Sequence, residues 1–347
     1  MMLSGCYNLL LGNILIGVWE GLLVSWAFKV PRKRTIYLMI AGNYASMIVG
    51  MILIMAMGGY SALGWDSDVY AVRRQVALGA AASLGATLVV EWPFFILALK
   101  SCSRRLGKSV LANVLAQVAS YAVLIPVAVA MGQFGVLTDV RIDPNVVSEA
   151  GEDATIFYTL PREDAVYRIR LNGTKREKIA ALDRSKGWGN LCLMQEAATG
   201  KWNVCVDLDR EVEVLLRDVA LPMVPDVVQD ANRPFSHMIV PRAVDKPIDY
   251  RPIAQRHWQV EMDWLNLIAR DTKTGQEIRV GLDTQFATWL LNYPTVLPGD
   301  RVVFVANRQI LLLDLNTRRL GAIAKGWEPI VIPNLRRTHD PQAPRGN

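Results

Sequence analysis

The chain has few of the residues that build metal centres and nucleophilic active sites. Its 347 residues include three histidines and four cysteines, and no two cysteines have the CxxC spacing of common zinc sites. The motifs GxSxG, HExxH and GxGxxG and the P-loop do not occur in a matching context. The sequence therefore indicates no catalytic residue and no cofactor, and it leaves any metal undetermined. We expect a protein that is not an enzyme.

Long apolar runs are absent after residue 137, whereas the first 137 residues contain four of them. Residues 7–28, 36–57, 76–99 and 110–137 each reach the roughly 20 apolar residues needed to cross a bilayer. The sequence predicts a four-helix transmembrane domain over residues 1–137. The first run has no basic segment before it and is too long for a signal peptide, so we expect it to be a retained span.

Acidic residues are missing from two of the three connections between these runs. The first connection, residues 29–34, and the third, residues 100–108, each carry four Lys or Arg and no Asp or Glu. The second, about residues 58–75, carries both signs. The positive-inside rule places the first and third connections in the cytoplasm. We therefore predict a multi-pass protein of the bacterial inner (plasma) membrane, whose N-terminus and C-terminal domain lie outside the cytoplasm, in the periplasm.

The part after the membrane spans has no excess of basic charge. Residues 1–137 hold ten Lys/Arg and four Asp/Glu, a net charge of +6, which equals the net charge of the whole chain. A nucleic-acid-binding protein concentrates basic charge on its soluble surface. The basic residues here lie between spans and set the topology. We therefore expect membrane lipid as a partner and no nucleic acid.

Four polar side chains fall at a similar depth within the predicted spans. Glu20, Asn43, Glu91 and Gln117 each lie about a third to halfway across the bilayer, counted from the cytoplasmic side at about 1.5 Å per residue. Three interpretations stay open: hydrogen bonds that fix helix packing, a socket for a partner helix, and an ion or proton site.

Small residues recur at four-residue spacing in all four spans, a pattern that lets helix backbones approach closely in lipid. The sequence therefore predicts a compact bundle. The positions include Gly17 with Gly21, Gly42 with Ser46, Gly79 with Ser83, and Ala116 with Ser120.

The rest of the chain has the alternation and turn residues of β-hairpins. Residues 138–153 are polar and predict a linker, residues 154–335 predict an all-β domain, and residues 336–347 predict a disordered tail. Within the β domain, pairs of short apolar runs flank polar turns, as in hairpins. The pairs are 156–159 with 166–171, 191–194 with 202–206, 264–268 with 277–280, and 301–305 with 310–315.

Each hairpin unit consists of a strand, a polar turn and a second strand that ends in Asp-Leu, Thr-Arg or Thr-Gly. These units resemble the blades of a β-propeller. The step from Asp314-Leu-Asn-Thr-Arg318 to Leu320 is the nearest match. The resemblance covers residues 154–332 and implies about four blades at usual repeat lengths. It carries no Trp-Asp, kelch or quinoprotein signature. A propeller completed by a partner and a β-sandwich remain alternatives.

Two cysteines fall on one predicted hairpin. If Glu196 pairs with Lys201 around the turn, Cys192 lies directly opposite Cys205. Outside the cytoplasm such a pair can persist as a disulfide, provided that the cross-strand geometry allows it. The alternative is a pair of buried thiols.

Two classes of function follow from this organisation. The first is an anchoring or assembly protein whose extracytoplasmic β domain binds another membrane or envelope protein or an envelope polymer. Several tryptophans in the β domain and the absence of site chemistry favour it. The second is a small transporter, ion-binding unit or membrane enzyme that uses the intramembrane carboxylate and amide side chains.

Overall fold

The computed structural model separates the helical and the β parts of the chain. It describes residues 2–56, 68–130, 134–160, 163–182, 190–196, 199–207, 212–219, 237–239, 248–251, 256–263, 265–284 and 288–334. The predicted tail, residues 336–347, lies outside these. Residues 1–64, 71–133 and 284–287 form one compact unit, here called the membrane unit. Residues 65–70, 134–283 and 288–347 form a second, called the β unit.

Four long helices build the membrane unit. They are α1 (Met2–Phe28), α2 (Arg32–Ala56), α3 (Val72–Ala98) and α4 (Arg105–Ala130). All four are long and apolar enough to cross a membrane, which confirms the prediction of four candidate spans and indicates a membrane protein. Each helix contacts the next in chain order, and α4 contacts α1, so that α1 and α3 lie at opposite corners of the bundle.

Glycine lets α1 and α2 approach closely. A Cβ atom added to Gly17 would lie 2.7 Å from the Cα of Ile40, and one added to Gly21 would lie 2.5 Å from the Cα of Ile36. Any larger side chain at either position would push the two backbones apart. The outer surface is apolar, with large side chains such as Leu15 and Val89 exposed, as expected for contact with lipid.

The β unit includes short elements before its main sheets. A 3₁₀ turn at Val69–Ala71 precedes α3, and the helices α5 (Gly135–Thr138) and α6 (Asn145–Glu149) flank strand β1 (Arg141–Ile142). Val146 and Val147 of α6 are buried in the core of the β unit. The predicted linker, residues 138–153, is therefore folded against the β sheets, because two apolar residues inside a polar stretch are enough to dock a short helix.

Sixteen further strands are described in the β unit. They are β2 (Ala154–Leu160), β3 (Ala165–Arg170), β4 (Glu177–Ala181), β5 (Asn190–Gln195), β6 (Trp202–Asp207), β7 (Val212–Val219), β8 (His237–Ile239), β9 (Ile248–Asp249), β10 (Trp258–Met262), β11 (Asn266–Asp271), β12 (Glu277–Gly281), β13 (Leu291–Leu297), β14 (Arg301–Ala306), β15 (Gln309–Asp314), β16 (Arg319–Lys325) and β17 (Trp327–Pro333).

The described strands form four sheets, none of which closes on itself. Their strand orders are β17-β2-β3-β4, β7-β6-β5-β8, β10-β11-β12 and β1-β16-β15-β14-β13-β9. Neighbouring strands run antiparallel, except that β1 and β9 pair parallel to β16 and β13. All four predicted hairpins are confirmed, as β2–β3, β5–β6, β11–β12 and β14–β15.

The last strand completes the first sheet. β17 pairs with β2, so that Ile330 lies opposite Phe157 and Pro333 lies opposite Ala154. Their apolar side chains enter two cores: Ile156 and Val331 pack with α6, whereas Phe157 and Ile330 pack with β5 and β6. The two ends of the described β unit are therefore held together by backbone hydrogen bonds and by apolar contact.

A buried arginine ties three strands of the β unit together. Arg251 follows β9 and is 2% exposed. Its Nη1 donates to Asp300 Oδ1 at 3.0 Å, and its Nη2 donates to Asp249 Oδ2 at 3.0 Å and to the Trp258 carbonyl oxygen at 2.6 Å. Asp300 lies in the β13–β14 turn and Trp258 in β10. The two carboxylates compensate the buried charge.

Replacing Arg251 by alanine should destabilise the β unit strongly. The change leaves Asp300 and Asp249 with reduced charge compensation in a poorly hydrated site, which costs roughly 3–5 kcal/mol. Chemical unfolding followed by tryptophan fluorescence measures this loss. Arg270→Ala is the matched control, because Arg270 and Glu277 form an exposed pair that contributes about 0–1 kcal/mol. Equal losses in the two variants would contradict the structural role of Arg251.

Candidate functional site

Two glutamates are buried inside the membrane unit. Glu20 lies in α1 and Glu91 in α3, and each side chain is 1% exposed. The two helices occupy opposite corners of the bundle, so both carboxylates face its interior. A carboxylate in hydrocarbon is costly unless donors surround it, which makes its hydrogen bonds the decisive feature of this region.

Glu20 accepts one hydrogen bond on each oxygen. Asn43 Nδ2 of α2 donates to Oε2 at 2.7 Å, and Ser120 Oγ of α4 donates to Oε1 at 2.7 Å. The same Asn43 nitrogen also donates to the Met39 carbonyl oxygen, one turn earlier in α2, at 3.0 Å. Glu20 therefore links three helices.

Glu91, on the opposite helix α3, also accepts one hydrogen bond on each oxygen. Gln117 Nε2 of α4 donates to Oε2 at 2.6 Å, and Ser46 Oγ of α2 donates to Oε1 at 2.7 Å. Each carboxylate thus receives one amide and one hydroxyl donor, one from α2 and one from α4. We call these six side chains the polar layer: Glu20, Asn43, Ser46, Glu91, Gln117 and Ser120.

The structure brings all four predicted intramembrane residues into this layer, as two carboxylate–amide pairs. The sequence does not predict the two hydroxyl donors, because Ser46 and Ser120 have the four-residue spacing of small residues that pack helices together. A usable signal was present: Ser46 follows Asn43 by three residues, and Ser120 follows Gln117 by three. Residues three apart share one helix face, so each serine lies on the same face as its amide, about 4.5 Å further along the helix.

Further polar contacts join α3 to α4 beside the layer. Asn113 Nδ2 donates to the Leu88 carbonyl oxygen at 2.7 Å, and Trp92 Nε1 donates to Ser109 Oγ at 2.9 Å. Ser109 in turn donates to the Leu106 carbonyl oxygen of its own helix. These contacts pair the Asn113 amide N–H and the Trp92 indole N–H, whereas the buried Asn113 Oδ1 has no hydrogen-bond partner within the described part of the chain.

The polar layer can hold helices together, and its carboxylate and amide oxygens are also suited to bind a proton or a cation. Every carboxylate oxygen already has a donor from the bundle, and each hydrogen bond between helices contributes roughly 1 kcal/mol in a membrane. Within the described part of the chain, no group of three or more His, Cys, Asp and Glu residues has a metal-binding arrangement. The hydrogen bonds of the layer join all four helices.

The predicted cysteine pair lies in the second sheet of the β unit. Cys192 in β5 is directly opposite Cys205 in β6, the register predicted from the turn, and both are buried. The two side chains are thiols in the structure. A hydrogen bond from the Cys192 thiol lowers the pKa of the Cys205 thiol below its ordinary value, against the opposing effect of burial.

No protein-family model and no curated protein matches the chain. Its function must therefore be inferred from the geometry of the polar layer, from the paired cysteines and from the architecture of the β unit.

Removing either serine hydroxyl of the polar layer should destabilise the membrane unit. Ser120→Ala and Ser46→Ala each leave one carboxylate oxygen without its donor, and we expect a loss of about 1 kcal/mol, or about fivefold in the unfolding equilibrium constant. Unfolding of the purified protein by added SDS measures it.

Ser25→Ala is the matched control, because the Ser25 hydroxyl donates to the Leu22 carbonyl oxygen of its own helix. We expect this variant to unfold like the unmodified protein. If all three variants are equally stable, the serines do not support the carboxylates.

Proposed function

We propose that the chain is an integral membrane anchoring or assembly protein, and that its β unit lies outside the cytoplasm and binds a protein or polymer of the cell envelope. The observation that carries this proposal is that each oxygen of both glutamates accepts a hydrogen bond from another helix of the bundle. These bonds support a structural role for the membrane unit, and we assign partner binding to the β unit.

The charge of the connections supports the orientation. The α1–α2 and α3–α4 connections carry four basic residues each and no acid, which places them in the cytoplasm by the positive-inside rule. Contacts within the β unit agree with this threading. The Val69 backbone N–H donates to Gln309 Oε1, and the Ala322 N–H donates to the Tyr70 hydroxyl oxygen. We take these contacts as support for a common side of the membrane for the start of α3 and the chain after α4.

The strand pairing supports a propeller-like arrangement of about four blades as the finer description of the β unit. Each sheet is built around an antiparallel meander of consecutive strands, such as β2-β3-β4, β5-β6-β7 and β13-β14-β15-β16. In propellers the last strand of the chain commonly completes the first blade, and β17 joins β2 in this manner. A β-sandwich is the alternative arrangement.

A disulfide between Cys192 and Cys205 is the expected consequence of an extracytoplasmic β unit. Opposed residues of antiparallel strands have Cα atoms about 4.5–5.5 Å apart, which lies within the range that a disulfide spans. Mass spectrometry after alkylation without reduction, on protein purified from membranes, should find the two cysteines joined and Cys102 alkylated. Alkylation of both Cys192 and Cys205 would contradict the disulfide.

The anchoring proposal predicts a partner that depends on the folded β unit. Chemical cross-linking of the tagged full-length chain in intact cells, at native expression, should yield a defined adduct in constant proportion to the chain. The adduct should disappear in Arg251→Ala, which damages the β unit, and persist in Arg270→Ala, which alters only an exposed ion pair.

Persistence of the adduct in Arg251→Ala would contradict binding through the β unit, provided that unfolding measurements confirm the damage. Absence of any adduct from the unmodified chain would contradict the anchoring role itself and favour a small transporter, an ion-binding unit or a membrane enzyme. A reporter fused to the C-terminus tests the orientation separately, and activity of a cytoplasm-dependent reporter would overturn it.

A further inference from the structure

The hydrogen bonds that the two glutamates accept are equivalent under an exchange of the two helical hairpins, whereas the bonds of Asn43 and Ser46 to backbone carbonyls of α2 have no counterpart among the described residues of α4. The first hairpin consists of α1 and α2, and the second of α3 and α4. Within each hairpin the glutamate accepts from the amide of the following helix, Asn43 or Gln117. Between hairpins, each glutamate accepts from the serine of the other, Ser120 or Ser46. Exchanging the two hairpins therefore maps each bond onto the other bond of its pair, and we call this correspondence the two-fold rule.

The spacing in the sequence obeys the same rule. Glu20 precedes Lys29 by nine residues, and Glu91 precedes Lys100 by nine. Asn43 follows Arg34 by nine residues, and Gln117 follows Lys108 by nine. The amide and the serine are three residues apart in both hairpins. The hairpins differ mainly in the cytoplasmic connection, which is three residues longer in the second.

Burial repeats at several positions of the aligned helices, although the buried Gly17 and Gly21 align with Leu88 and Trp92, which are not buried. Glu20 and Val24 of α1 are buried, as are Glu91 and Phe95, the residues at the same places in α3. Burial also matches at four equivalent positions of α2 and α4. In each of the following pairs the first residue lies in α2 and the second in α4. The buried pairs are Thr35 with Ser109, Met39 with Asn113, Gly42 with Ala116, and Asn43 with Gln117.

From these three observations we infer that the four spans are two copies of one helical hairpin joined in tandem. The polar face of each hairpin is a binding surface whose partner is a second copy of that hairpin. Both copies cross from the outer side to the cytoplasm and back, so the two-fold axis runs along the membrane normal, as in parallel transporter repeats. This inference does not depend on the anchoring role.

The two-fold arrangement explains why donors of two kinds surround each carboxylate. The amide comes from the same hairpin and orients its glutamate before the hairpins meet. The hydroxyl comes from the other hairpin and is available only after association. A two-fold interface uses the same surface patch twice, so each serine of the pair serves one glutamate of the opposite copy.

A chimera of the full-length chain tests the repeat. In the aligned chimera, residues 109–126 of α4 are replaced by a copy of residues 35–52 of α2, which places the copied Asn at position 117 and the copied Ser at position 120. The matched control inserts residues 37–54 instead, which moves the copied Asn to position 115, where the native leucine is exposed.

The aligned chimera should accumulate in membranes and retain both carboxylate contacts. Its unfolding equilibrium constant in SDS should be at least about tenfold lower than that of the shifted control, because two hydrogen bonds between helices are kept. Equal stability of the two chimeras would overturn the repeat. Loss of both chimeras from the membrane would also contradict it, since a true copy of α2 should fill the place of α4.

Double-mutant cycles in the unmodified chain give a second, independent measure. The cycle of Glu20→Gln with Ser120→Ala and the cycle of Glu91→Gln with Ser46→Ala report the two contacts between hairpins. Equivalent hairpins should give couplings of the same sign that agree within about threefold in the unfolding equilibrium constant. A coupling in one cycle and none in the other would overturn the two-fold rule, whatever the partner of the β unit proves to be.

Discussion

The membrane half of this protein depends on the cost of placing two carboxylates in hydrocarbon. Nothing in lipid can hydrate Glu20 or Glu91, so each must be bound by donors from the protein, and each draws one donor from α2 and one from α4. The bonds therefore specify which helices are neighbours and at what depth they meet. Glycine at positions 17 and 21 then allows the close approach of α1 and α2 that brings Asn43 within reach.

The fold of the β unit depends on apolar burial together with one buried polar network. Its apolar strand faces supply most of the favourable energy, and its polar network around Arg251 selects one arrangement of β9, β10 and the β13–β14 turn. The pairing of β17 with β2 joins the ends of the unit. Such a domain, attached to a bundle whose two buried glutamates are bound by neighbouring helices, has the construction expected of an anchored binding module.

The sequence predicts local features well, since they arise from short-range periodicity. Four apolar runs predict four spans, and the rise of a helix places Glu20, Asn43, Glu91 and Gln117 at one depth. Alternation and turn residues predict the four hairpins and the position of Cys192 opposite Cys205. Features that depend on distant pairing were not predictable. Serine at small-residue spacing did not distinguish packing from donation, and nothing local indicated that β17 joins β2 or that residues 138–153 dock on the sheets.

The central claim is that the polar layer stabilises the bundle while the β unit carries the function. The most direct test is the full-length Glu20→Gln, Glu91→Gln double variant, examined for both unfolding in SDS and recovery of the cross-linked partner from intact cells. The account predicts a lower unfolding midpoint and an unchanged amount of partner per folded molecule. A variant that is as stable as the unmodified protein but has lost its native role would contradict the account and assign the function to the carboxylates.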